Sequence, residues 1–136
     1  MNKSIVEEFR KVAPKEWLAH SEMTAERDLH LKLPPPCGSD CGPIWVQIDG
    51  DYDEIIVGFA GAHSHGGSWR EVGDPDHRFQ GTLSFVSRIK AEAVVAYTLP
   101  GHGGGFQDSA AIPSLPKDAV VRSWKGTHNR GNWLGE

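Results

Sequence analysis

Leu29, Leu31 and Leu33 alternate with His30 and Lys32. A period of two marks a strand with one buried face. Pro34-Pro35-Pro36 ends it, because proline has no N–H to give a ladder. After a loop over 34–43 come two runs rich in β-branched and aromatic residues, Ile44–Ile48 and Glu54–Phe59. Between them lies Asp49-Gly50-Asp51-Tyr52-Asp53, where Asp-Gly supplies the positive φ of a tight turn. The pattern predicts a β-hairpin with an acidic tip.

Helical spacing appears twice. Ser4-Ile5-Val6-Glu7 has the form of a capping box. Ile5, Val6, Phe9, Val12 and Ala13 then share one face until Pro14, which predicts a helix over 5–13. Asp74-Pro75 reads as an N-cap and first helical residue, and Phe79, Leu83, Val86 and Ile89 follow on one stripe. Gly81 within that stripe costs about 1 kcal/mol relative to alanine. Ala93–Leu99 and Ala119–Lys125 read as strands, and the glycine-rich stretch 60–73 and the glycine- and proline-rich stretch 100–116 read as loops. The expected fold is one α+β domain over 1–136. It has a mainly antiparallel sheet of about five strands with two helices packed on one face.

Charge changes this picture more than composition does. The net charge is -4. Residues 34–76 hold eight acidic side chains and one basic, Arg70, whereas residues 77–136 hold seven basic and four acidic. Asp49, Asp51, Asp53 and Glu54 put half of the middle segment's acidity at the hairpin. Such a patch excludes nucleic acid as the natural partner and favours a basic protein. No apolar run is long enough for a membrane span, and the charged start "MNKSIVEEFRKV" lacks a signal-peptide core, so the expected compartment is the cytoplasm. Cys37 and Cys41 form half of a zinc site at most, and in the cytoplasm they are expected as thiols rather than a local disulfide. Of the five tryptophans, Trp45 and Trp124 fall within strand runs. Nothing in the pattern sets an oligomeric state.

Three kinds of chemistry compete for Ala62-His63-Ser64-His65-Gly66. The string approximates the G-x-S-x-G elbow of serine hydrolases, and His102-Gly103-Gly104-Gly105 approximates their oxyanion loop. The order is reversed, however, the expected helix after the serine is replaced by a proline-containing loop, and the parallel sheet is missing. Alternatively, His63 and His65 on a strand would face the same way and, with His77 or the nearby Asp74 and Asp76, could ligate zinc. That metal-binding reading, as a carrier or a metal-dependent enzyme, is the runner-up. The third reading is a contact surface without catalysis or cofactor. There Asp49, Asp51, Tyr52, Asp53 and Glu54 of the hairpin join His63 and His65 in binding a protein.

The third reading gains from a resemblance. The segments "EIIVGFAGAHSHG", "LSFVSRIKAEAVVAYTLPG" and "VVRSWKGTHNRGN", spanning roughly 44–130, resemble bacterial immunity-type proteins of polymorphic toxin systems. The shared features are a strand entering an H-x-H segment, a helix, a strand, and a late Arg122-Ser123-Trp124-Lys125-Gly126 strand with a polar turn. The insert at 100–116 departs from that pattern. The resemblance implies stoichiometric neutralisation of a basic toxin domain, with no cofactor and no enzyme activity.

Overall fold

A computed structural model of the chain describes residues 5–24, 28–36, 41–49, 54–64, 75–101 and 103–131, with backbone alone at 5 and 75–78. Helix α1 (Ile5–Val12) ends before Pro14, and a single turn, α2 (Lys15–Leu18), follows. Acidic Glu7 and Glu8 in the first turn of α1 and basic Arg10 and Lys11 in the last complement its dipole. Val6 and Phe9 are buried, as the spacing predicts, but Val12 is 41% exposed. Consecutive helical residues are about 100° apart, so Val12 sits on the rim of the stripe that Phe9 and Ala13 define.

Five strands pair in chain order, all antiparallel: β1 (Ser21–Met23), β2 (Leu29–Leu33), β3 (Ile44–Asp49), β4 (Glu54–Phe59) and β5 (Ala62–Ser64). An α+β fold with a five-stranded antiparallel sheet and helices alongside is what the sequence predicts, but β1 and β5 carry no clear sequence signal, and the expected strands 93–99 and 119–125 pair in a second sheet instead. Helix α3 (Pro75–Lys90) leads to a second antiparallel sheet, in which β6 (Val94–Leu99) lies between β7 (Gly103–Asp108) and β8 (Val120–Arg122). Both sheets feed one core. Phe9 meets Phe79 of α3 edge to face at 5.7 Å, and Trp124 meets Phe59 at 5.8 Å. Among the described residues, no helix is long and apolar enough to cross a membrane.

Two stretches expected as loops contain strands. Ala60 (φ 49°) and Gly61 (φ 84°) make a two-residue turn that the Phe59–Ala62 pair closes, so β5 extends a β4 hairpin. Positive φ at both central residues suits the twist of a hairpin, but alanine in place of Asn or Asp hides the turn in the sequence. The stretch 100–116 holds β7 and a 3-10 helix over Ser109–Ser114. Its glycines answer a packing demand. A Cβ on Gly104 would stand 2.1 Å from the Tyr97 carbonyl oxygen of β6. The last strand is also shorter than expected, and Trp124 lies beyond its end in a turn.

A second glycine is equally constrained. The Trp45 indole of β3 lies across Gly58 of β4, where an added Cβ would sit 1.9 Å from the indole ring. Gly58→Ala should therefore cost about 1–3 kcal/mol in urea unfolding. The same change in a Trp45→Ala background should cost less than about 1 kcal/mol, because the partner of the clash is gone.

Candidate functional site

Alternation along β2, β3 and β4 sorts the side chains into two populations. Leu29, Leu31, Leu33, Val46, Ile48 and Val57 are buried on the inner face, where the helix residues Val6, Phe9, Phe79 and Val86 pack. The register puts the polar residues on the other face in rows. Lys32, Trp45, Gly58 and His63 form one row, His30, Gln47 and Ile56 the next, and Asp49 and Glu54 pair at the hairpin end. His63 and Lys32 are exposed; Trp45, Gln47, Asp49, Glu54 and Ile56 are half-buried. Around Trp45, with His30, Lys32 and Gln47, there is a hollow of about 160 Å³.

Three of the residues singled out in the sequence thus meet on one face: Asp49, Glu54 and His63. Asp51, Tyr52, Asp53 and His65 lie outside the described residues, as does the side chain of His77, although its backbone belongs to α3. Ser4 of the expected capping box and Cys37 lie outside them too. Cys41 is buried, with its Sγ 3.6 Å from the Trp124 carbonyl oxygen. Among the described residues, no group of three or more His, Cys, Asp or Glu side chains is arranged to hold a metal. The hydrolase reading loses its scaffold. Among the described residues every strand pair is antiparallel, Ser64 pairs with Val57 on the opposite face from His63, and Gly103–Gly105 are ladder residues of β7 rather than an oxyanion loop.

The sequence gives no hint of a second feature, because four separate elements build it. Where β5 meets β7, a cleft of about 380 Å³ opens. His63 and Ser64 reach it from β5, Phe85 and Arg88 from α3, Tyr97 from β6, and Phe106 from β7. Phe85 and Phe106 stand edge to face at 4.9 Å. Arg88 Nη2 donates to Asp108 Oδ1 at 2.7 Å on the rim.

The Arg122-Ser123-Trp124-Lys125-Gly126 motif resolves into a structural turn. Buried Arg122 donates to the carbonyls of Val121, Arg130 and Gly131. Trp124 fills the core beside Phe59, and Gly126 takes φ 85°. Glu92, itself left-handed at φ 61° just after α3, clasps this turn from 33 residues away. Its carboxylate accepts from the Lys125 and Thr127 amides at 3.1 and 3.2 Å and from the Thr127 hydroxyl at 2.7 Å. Burial pushes the Glu92 pKa up, but the hydrogen bonds from Ser123, Thr127 and the two amides outweigh it and hold the pKa below the ordinary glutamate value.

Comparison with protein-family models, curated proteins and solved structures finds no match to this chain.

A carboxylate with a lowered folded pKa adds stability that is complete above its unfolded pKa of about 4.3 and disappears as pH falls through the folded value. Glu92→Gln should lower stability at neutral pH by about 1–3 kcal/mol. Urea unfolding from neutral pH down to acid should show the gap between wild type and Glu92→Gln closing as the carboxylate protonates.

Proposed function

We propose that this chain is a small cytoplasmic binding protein that docks a basic protein on the outer face of its five-stranded sheet. Its most specific form is an immunity-type protein that neutralises a cognate toxin by stoichiometric binding. The observation that carries the reading is the convergence of Asp49, Glu54 and His63 with Trp45 on one face that takes no part in the core.

The chemistry of that face suits protein recognition. Carboxylates at the hairpin end attract a basic surface over a distance of about 8–10 Å at physiological salt and speed encounter. Trp45, half-buried and held flat by Gly58, is a rigid aromatic anchor that loses little entropy on binding. His30, Gln47 and His63 around it supply polar contacts that fix orientation. No catalytic step is required, because covering the toxin's substrate-binding surface is enough to inhibit it.

The test uses the product of the neighbouring reading frame as partner. Calorimetry should give a one-to-one complex whose association slows with salt. Asp49→Lys with Glu54→Lys should weaken it by about tenfold or more, and Trp45→Ala should cost about 2 kcal/mol of binding. A complex indifferent to both changes would place the contact elsewhere and overturn this reading of the face. Absence of any complex would overturn the immunity role.

A further inference from the structure

The cleft between β5 and β7 shares His63 with the proposed docking face, but its chemistry is different. We infer that it is a binding site for a small aromatic carboxylate, with the ring seated on Phe85 and Phe106 and the carboxylate held by Arg88.

The floor of the cleft is aromatic, within a lining that is otherwise largely polar. Phe85 of α3 is buried, and the half-buried Phe106 ring stands at 88° to it. Val94 closes the inner end. Such a floor takes a flat apolar body by offset or edge contacts. Gly105 keeps the space open. A Cβ there would lie 3.1 Å from the Tyr97 hydroxyl oxygen. The volume of about 380 Å³ falls at the small end of the range for ligand clefts, roughly 300–1,000 Å³.

The walls are rich in donors. Arg88 carries five N–H groups and gives one nitrogen to Asp108. Gln107 uses its Oε1 to accept the Asp108 amide, which turns its NH₂ group into the available polar end. The Tyr97 hydroxyl stands beside them. The only carboxylate on the wall among the described residues, Asp108, occupies one Arg88 nitrogen at 2.7 Å and so competes with a bound anion for the guanidinium. A guanidinium fork binds a carboxylate in two-point geometry. An anion is therefore favoured here by the local donors.

Three probes separate ring from charge: benzoate, benzamidine of the same shape and opposite charge, and inorganic phosphate. Titrations of the full chain, followed by backbone amide shifts, should show benzoate moving Tyr97 and Gly103–Asp108 at millimolar concentration or below. Benzamidine and phosphate should bind about tenfold more weakly or not at all. Arg88→Gln should weaken benzoate about tenfold, whereas Asp108→Asn, which removes the competing carboxylate, should tighten it. A residue with only a structural role would weaken binding in both variants. Arg88→Lys, which keeps the charge but loses the fork, should fall between wild type and Arg88→Gln and guards against a folding defect. Benzamidine binding as well as benzoate, an unchanged affinity in Arg88→Gln, or no shift in β7 would each overturn the assignment.

Discussion

Successive side chains of a strand point to opposite faces, and three strands lie side by side at the centre of this protein with one face of each turned to the core. Burying the inner set, Leu29, Leu31, Leu33, Ile44, Val46, Ile48, Ile55, Val57 and Phe59, is what holds the helices in place. Each large side chain removed from water contributes about 1.5–3 kcal/mol. Register follows from the same fact, because a slip of one residue would expose the whole set. The outer face is therefore not free to vary. Once the leucines of β2 and the valines of β3 and β4 point inward, Trp45, Asp49, Glu54 and His63 must share the other side.

Close backbone approach is the second constraint, and glycine marks where it operates. Gly58 lets an indole lie flat on the outer face, and Gly104 lets β7 come up against the β6 backbone. In both places the missing Cβ shapes the surface that surrounds it. The flat indole makes Trp45 a fixed feature of the sheet, and the glycine run lets β7 form the wall of the cleft. Glu92 acts at longer range. By clasping the turn after β8 it holds Trp124 against Phe59 and so joins the second sheet to the first.

Charge is divided along the same architectural line. The acidic segment builds the hairpin end of the first sheet, and the basic segment builds α3 and the second sheet, with the cleft between them. His63 belongs to both surfaces, in the row with Trp45 and on the lip of the cleft. The two proposed surfaces share this histidine, so a ligand on one bears on the other.

Local patterns were enough to determine much of this. Alternation identified β2, β-branched and aromatic runs identified β3 and β4, helical spacing identified α1 and α3, and together they set an α+β fold with a mainly antiparallel sheet, though not the strands β1 and β5 that complete its five. The same patterns named Asp49, Glu54 and His63, though not why they belong together. The rest depended on contacts between residues far apart in the chain. β5 rests on a turn with alanine in a left-handed conformation, and β7 is a strand made largely of glycine; both contradict local propensity and exist because neighbouring strands accept them. The cleft draws on α3 and three strands at once, and the Glu92 clasp spans more than thirty residues, so neither leaves a periodic trace. Sequence determined which residues must be buried, because water sorts side chains locally. Tertiary structure alone decided which exposed residues meet, because that depends on register and on where one sheet ends beside the other.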